Sequence, residues 1–255
     1  MADQVAAIFG LSPAFLLVTA VVGFFGFVVS ATFGIGGVVL LIPVLSMALS
    51  PVQAVAVAAP VMLVNNLGKS WVFRSAVDVK ATALLSGLAL PAAYLSARVA
   101  NTVDDRLLLV AVALLILVSV AVDRLRTPAT APMGGLALFL WGGLTGAISG
   151  ICGAAGPPTA IGLRRYGLSK NEFVGTVAVF SVCLQLAKIP AYVDTGALPP
   201  GLLPLAALLA ALSLVAVAVG PRLLRQVSED KFRIVVDGLF VVSAVWLLAE
   251  AMLMR

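Results

Sequence analysis

The stretch Val55–Arg74 has the sequence VAVAAPVMLVNNLGKSWVFR. It is almost entirely apolar until Asn65, Asn66 and Lys69 appear near its end. An apolar run of this length can cross a hydrocarbon core of roughly 30 Å as an α-helix. The pattern therefore predicts a membrane-spanning helix that carries an amide and an ammonium group on one face, since residues three apart are neighbours on a helix.

A second stretch, Val174–Tyr192, repeats this pattern with the sequence VGTVAVFSVCLQLAKIPAY. A shift of 119 positions aligns the two stretches, so that Gln185 matches Asn66 and Lys188 matches Lys69. An amide again precedes a lysine by three residues. The chain is therefore predicted to contain an internal repeat with one such lysine in each copy.

The composition indicates a polytopic membrane protein. Of the 255 residues, 62% are hydrophobic and 11% are charged, and the mean hydropathy is +1.16. Soluble domains carry roughly 25% charged residues, so this chain cannot cover a soluble surface with polar groups. The sequence lacks strand-like alternation, which favours helices over a barrel. The predicted fold is all-α, with two inverted repeats that each contain a glycine-broken helical hairpin and three transmembrane helices.

Glycine, proline and polar residues divide the chain into helix candidates of two repeats. The first repeat, 1–126, is expected to contain helices at about 12–33, 38–49, 52–72, 81–99 and 107–122. The second repeat, 127–255, is expected to contain helices at about 133–149, 157–163, 173–191, 202–219 and 232–253. The second helix of each repeat follows a glycine-rich break and is too short to span a membrane alone.

Basic residues follow the pattern of an inner-membrane protein with both termini outside. In that orientation the predicted inner loops carry ten basic residues, with Arg233 close by, and the outer segments carry three, Arg98, Arg106 and Arg255. This is the positive-inside bias. The two remaining basic residues are Lys69 and Lys188, which lie within predicted spans. Repeats of opposite orientation are typical of transporters, with the binding site at the repeat interface.

Two glycine-rich motifs add a resemblance to a known family. Gly34–Pro43 has the sequence GIGGVVLLIP, and Gly150–Pro158 has the sequence GICGAAGPP at the equivalent place in the second repeat. Together with the duplicated helix order and the chain length, these motifs resemble the sulfite exporter TauE/SafE family of membrane transporters. The resemblance covers nearly the whole chain. It implies export of a small anion, often a sulfur compound such as sulfite or sulfoacetate.

The backbone at the two breaks is the first candidate for a substrate site. Free N–H groups at a helix N-terminus bind anions, and broken helices at membrane depth occur only inside protein or beside a cavity. Close packing of small residues between helices is the alternative explanation. The candidate residues are Gly34, Gly36, Gly37, Gly150, Gly153 and Gly156.

The side chains of the two aligned helices are the second candidate. A lysine at the bilayer centre costs roughly 2.5–3.5 kcal/mol on insertion scales, so Lys69 and Lys188 need either a function or a route to the membrane surface. The functional interpretation is an anchor for a sulfite or sulfonate group, and the alternative is a side chain that reaches the interface. The other candidates are the nearby polar residues Asn65, Asn66, Gln185 and Ser181.

Asp237 and Cys152 are weaker candidates. Asp237 is the only acidic residue well inside a predicted span, where it could carry a proton for coupling or pair with Arg233 on the same face. Cys152 lies in the second break, where a thiol could handle sulfur compounds, although a buried free cysteine more often packs as a small hydrophobic residue. The chain has no histidine, and its two cysteines form no metal-binding pattern, so no cofactor or metal is expected.

These residues and the resemblance together predict a secondary transporter that exports a small anion by alternating access. Neither enzyme activity nor a nucleic-acid partner is expected. The expected partners are the anion and the lipid bilayer, with protons as a candidate coupling ion and a second copy of the chain as a candidate homodimer. The alternatives are a passive anion channel, a thiol-based membrane sulfur carrier that uses Cys152, and a subunit whose lysines pair with another chain.

Overall fold

The computed structural model describes residues 12–34, 37–102, 132–153 and 155–253, together with isolated positions between 103 and 131. The described residues form helices and connecting turns and contain no strand. This confirms the predicted all-α fold class. The predicted helix at 107–122 and the predicted repeat boundary at 126–127 fall largely or wholly outside the described residues.

Four helices with described bounds lie in the first part of the chain. They are α1 (Pro13–Phe33), α2 (Gly37–Ser46), α3 (Pro51–Val72) and α4 (Val79–Val99). Ser12, Ser50 and Asp78 cap the N-termini of α1, α3 and α4 with their side chains. The prediction extended the second helix to 49, but α2 ends at Ser46 because the following N–H groups close a turn onto Val44 and Leu45.

Five helices with described bounds lie in the second part of the chain. They are α5 (Gly135–Cys152), α6 (Gly156–Tyr166), α7 (Lys170–Asp194), α8 (Leu203–Gln226) and α9 (Glu229–Leu253). α6 is longer than the predicted 157–163 because its left-handed C-cap is Gly167, with a φ of 100°. α8 continues well beyond the predicted end at 219, and its last turn holds Arg225, whose charge suits a helix C-terminus. Short 3₁₀ turns cover Arg74–Ala76, Ala100–Thr102 and Pro200–Leu202.

Six helical segments within the described residues are long and apolar enough to cross a membrane. They are α1, α3, α4, α5, α7 and the segment 200–226 that contains α8. α2 has 10 residues and α6 has 11, so each is about half a span long at roughly 1.5 Å per residue. The fold is that of a polytopic membrane protein with a short helix after α1 and another after α5.

The shift of 119 positions also relates the helix ends in the two parts of the chain. α1 ends at Gly34 and α5 ends at Gly153, both in the left-handed conformation with φ of 81° and 71°. α3 and α7 both begin with a capping box, formed by Ser50 in one and Ser169 in the other. The similarity between the two stretches therefore extends from side chains to the points where helices begin and end.

Helices of the first part of the chain pack against helices of the second part, so the two parts do not form separate bundles. α1 packs on α8, and the equivalent α5 packs on α4. α3 packs on α7, and each of these two also packs on the fourth helix of the other part, α8 or α4. The result is two apolar clusters, one centred on α1, α2, α3 and α8 and the other on α4, α5, α6 and α7.

Glycine permits the closest helix contacts. A Cβ on Gly146 of α5 would lie 2.7 Å from the Cα of Ala89 in α4 and would also collide with that residue's carbonyl group. A Cβ on Gly220 of α8 would lie 2.6 Å from the carbonyl carbon of Ala31 in α1. Small residues allow such close approach between helices in a membrane.

We expect Gly146→Ala to destabilise the protein by about 1–3 kcal/mol, because the new methyl group overlaps the α4 backbone and cannot be relieved by a rotamer change. Thermal melting of the detergent-purified protein would show a fall of several degrees. Gly238→Ala is the matched control, since a Cβ there meets no heavy atom within 4 Å. An equal melting temperature for the Gly146→Ala variant and the wild type would contradict the close α4–α5 contact.

Candidate functional site

α3 and α7, the two helices that carry the predicted lysines, lie side by side in opposite directions. At the end of α3, the carbonyl oxygen of Phe73 lies 3.0 Å from a Cβ built on Gly175, near the start of α7. Near the start of α3, the Cγ1 of Val55 lies 2.7 Å from a Cβ built on Gly153. The carbonyl oxygen of Gly153 also accepts a hydrogen bond from Lys188, near the end of α7. Each helix therefore begins beside the end of the other.

The ammonium group of Lys69 binds the C-terminal end of α1. It donates to Ser30 Oγ over 2.9 Å and to the carbonyl oxygens of Ser30 and Gly34, each over 3.4 Å. The last carbonyl groups of a helix have no intrahelical partner and carry the negative end of the macrodipole. Three acceptors thus surround a group that has three N–H donors.

Lys188 makes the same contacts with α5. Its ammonium donates to Ser149 Oγ over 2.9 Å, to Ser149 O over 3.3 Å and to Gly153 O over 3.5 Å. Lys69 and Lys188 are each only 1% exposed. Neither side chain extends to the surface of the molecule, and both neutralise the end of a broken helix.

Residues spaced three and four apart form one face on each of the two helices. We call these faces the α3 stripe and the α7 stripe. The α3 stripe consists of Val55, Ala59, Met62, Asn66, Lys69 and Phe73. The α7 stripe consists of Val174, Ala178, Ser181, Gln185, Lys188 and Tyr192.

Both glycine breaks lie against both stripes. The α3 stripe contacts Gly34 through its lysine and Gly153 through Val55. The α7 stripe contacts Gly153 through its lysine and Gly34 through Val174, whose Cα lies 3.4 Å from a Cβ built on that glycine. The middle of each stripe therefore faces the region between the two breaks.

The middle of each stripe carries an amide with unpartnered polar atoms. Asn66 is 1% exposed, and neither its Oδ1 nor its Nδ2 has a hydrogen-bond partner among the described residues. Gln185 is 5% exposed, and its Oε1 is likewise without a partner there. Because native proteins pair almost all of their buried polar groups, these atoms indicate a site for a ligand or for water.

The two amides lie at nearly the same level of the molecule. Phe73 lies beside Gly175, and Asn66 is about two turns before Phe73, so Asn66 is level with about position 182 of the antiparallel α7. It is therefore within roughly 5 Å of Gln185 along the helix axes, at 1.5 Å per residue. By the same count the Cα atoms of the two lysines are about 14 Å apart along the helix axes, one on either side of the amides.

The structure also places the other two polar candidates, Asn65 and Ser181. Asn65 points towards α1 and α8, because its Oδ1 accepts from Ser30 Oγ over 3.4 Å and its Nδ2 donates to Ser213 O over 3.5 Å. Asn65 therefore binds Ser30, the hydrogen-bond partner of Lys69. Ser181 is half-buried and lies one turn from Gln185 on the α7 stripe.

The N–H groups of the break glycines are largely used within the protein. The N–H groups of Gly34 and Gly153 donate to the carbonyl oxygens of Ser30 and Ser149, each over 2.9 Å. α6 begins at Gly156, and the next two residues are prolines, which have no N–H. The first three residues of α6 therefore offer one N–H group.

The remaining predicted glycines pack closely. Gly37 begins α2, where an added Cβ would lie 3.4 Å from Met62 Cε of the α3 stripe. Gly150 packs on the α4 backbone, and its carbonyl oxygen accepts a 2.6 Å hydrogen bond from the hydroxyl of Tyr192. Gly36 lies outside the described residues.

The lysine partners Ser30 and Ser149 were not predicted from the sequence. Each precedes its break glycine by one helical turn, and the two serines are related by the same shift of 119 positions. An alignment extended from the lysines to the breaks would have found them.

The carboxylate of Asp237 in α9 forms an ion pair with another helix. Arg164 of α6 donates to its Oδ1 over 2.6 Å, and both side chains are largely buried. The side chain of Arg233, the partner predicted from the sequence, is not among those that the structure describes. The pair attaches α9 to the short helix that follows the second break.

Cys152 and Cys183 are free cysteines, and both are partly buried. Cys152 immediately precedes Gly153 and lies close enough to Lys188 for an electrostatic interaction. Among the described residues, no group of three His, Cys, Asp or Glu side chains is arranged to hold a metal ion.

Comparison with known proteins identifies the family. A family model described as Sulfite exporter TauE/SafE matches residues 19–247. Neither a curated protein nor a solved structure matches the chain. The match includes both glycine breaks, both lysines and both amides, and extends from α1 into α9. The chain therefore belongs to the sulfite exporter TauE/SafE family of membrane transport proteins.

Proposed function

We propose that this protein exports a small anion, a sulfur oxyanion or an organosulfonate such as sulfite or sulfoacetate, by secondary transport across the inner membrane. The observation that carries this proposal is the pair of buried amides with unpartnered atoms, which lie between two buried ammonium groups. Family membership supports a sulfur anion as the substrate.

The site that we propose combines charge with hydrogen bonding. Lys69 and Lys188 supply two positive charges inside apolar protein, where a charge acts more strongly on an anion than it does in water. The amides of Asn66 and Gln185 supply hydrogen bonds at the level between these charges. The other candidate residues would act around this site. Ser181 lies one turn from Gln185, while Asn65, Gly34 and Gly153 hold the lysines or their partner serine. Gly36, Gly37, Gly150 and Gly156 belong to the two breaks beside it.

The opposite directions of α3 and α7 support a mechanism with inverted repeats. In such transporters two halves move against each other around a fixed site, which opens alternately to each side of the membrane. We assign residues 1–126 and 127–255 to the two halves and place the site between them. Protons or the membrane potential would drive export, and both termini would lie outside.

We expect Lys69→Ala and Lys188→Ala each to lower sulfite transport by at least about tenfold, because each removes a buried positive charge from the site. Uptake of labelled sulfite into proteoliposomes measures the effect. Lys80→Ala is the matched control, because this lysine is exposed at the start of α4. Full transport by both site variants would refute the proposed site, and flux that does not saturate with sulfite would indicate a passive channel instead.

We expect Ser30→Ala and Ser149→Ala to lower stability by about 1 kcal/mol each while leaving most of the transport activity. Each change removes one acceptor from an ammonium group and keeps the charge. Thermal melting and the same uptake assay separate the two effects. Loss of transport without loss of stability would mean that the serine hydroxyls bind the anion themselves.

The orientation of the two halves predicts a difference in labelling between two loops. In a cysteine-free background, we expect a membrane-impermeant maleimide to label Thr195→Cys in intact cells and to label Ser75→Cys only after permeabilisation. The background itself, with Cys152→Ser and Cys183→Ser, should retain sulfite transport. Labelling of both positions from the same side would contradict inverted halves, and an inactive background would favour the thiol-carrier alternative.

A further inference from the structure

We propose that the anion carried by this protein brings its own hydrogen-bond donor to the site. Hydrogensulfite would then be carried in preference to the sulfite dianion, and sulfonates with an adjacent N–H or O–H group in preference to plain alkyl sulfonates. This inference rests on the proposed transport function and defines the substrate class of the same site.

The N–H donors of the two lysines are already occupied. The ammonium of Lys69 has three acceptors on Ser30 and Gly34, and that of Lys188 has three on Ser149 and Gly153. An ammonium group has three N–H donors. The lysines therefore act on the anion through their charge, and the direct hydrogen bonds at this level come from other groups.

The amides of Asn66 and Gln185 present acceptors as well as donors. Both polar atoms of Asn66 are buried and without a partner among the described residues. Whichever way this amide is turned, it offers an unpartnered carbonyl oxygen and an unpartnered NH₂ group. The Oε1 of Gln185 adds a second unpartnered oxygen at nearly the same level.

These amide groups favour a ligand that can both accept and donate hydrogen bonds. The NH₂ group of Asn66 can donate to an anionic oxygen, but the amide carbonyl oxygens can only accept. An anion without a donor would leave these carbonyl oxygens unpaired and would place its own negative oxygens against them. Sites with buried polar groups reject ligands that leave those groups unpaired.

A matched pair of small sulfonates tests the proposal. Sulfamate and methanesulfonate carry the same charge and have nearly the same size, but sulfamate has an NH₂ group where methanesulfonate has a methyl group. Calorimetric titration of the detergent-purified full chain at one neutral pH gives the Kd of each anion. We expect sulfamate to bind at least roughly tenfold more tightly than methanesulfonate.

Variants locate this preference. In Asn66→Leu and, independently, in Gln185→Leu, the ratio of the two Kd values should fall towards one. Asn171→Leu is the matched control, since this asparagine is exposed in the first turn of α7, and it should keep the wild-type ratio. A wild-type ratio that persists in both site variants, with melting temperatures near that of the wild type, would overturn the assignment to these amides.

Titration of sulfite under the same conditions distinguishes failure of the proposed transport function from failure of the donor requirement alone. If none of the three anions binds, the proposed function fails and this inference fails with it. If sulfite binds and the two sulfonates bind equally or not at all, the donor requirement is wrong while the proposed function stands. Equal binding would mean that water serves the amide oxygens.

Discussion

The contact between a lysine ammonium and the carbonyl end of a broken helix is the interaction on which this fold depends. A helix that ends within a membrane protein leaves its last carbonyl groups without hydrogen bonds, and lipid offers no substitute. A buried lysine has the opposite need, for acceptors and negative potential. Lys69 with α1 and Lys188 with α5 meet both needs through the carbonyl oxygens of Gly34 and Gly153. The hydroxyl and carbonyl oxygens of Ser30 and Ser149 complete the three acceptors of each ammonium group.

This contact also positions the helices around the candidate site. Because Lys69 and Lys188 lie three residues beyond Asn66 and Gln185, holding each lysine at a break fixes the height of the neighbouring amide. The two breaks in turn contact both stripes, so α3 and α7 are aligned with each other through the same glycines. The contacts of the lysines and of the break glycines therefore bring the two amides to the same level.

Much of this arrangement was predictable from the sequence, because it depends on local spacing. The apolar runs predicted the spanning helices, and the shift of 119 positions identified the paired lysines and amides. Spacing along one helix does not show which helix lies opposite, so the sequence left open whether Lys69 faced a substrate or the membrane surface. For the same reason the ion pair between Arg164 and Asp237, which joins α6 to α9, could not be found from either helix alone.

The two halves are alike but not identical, and the differences concern bonds found in the second half. Tyr192 donates a hydrogen bond to Gly150 O, whereas the residue aligned with it in the first half, Phe73, has no hydroxyl. Arg164, which forms an ion pair with Asp237, aligns with Leu45 in the first half, and a leucine cannot form an ion pair. If the halves were identical and exchanged conformations during transport, the inward-open and outward-open states would have equal free energy. If this hydrogen bond forms in only one of those two states, its contribution of about 1 kcal/mol would shift the resting population roughly fivefold towards that state.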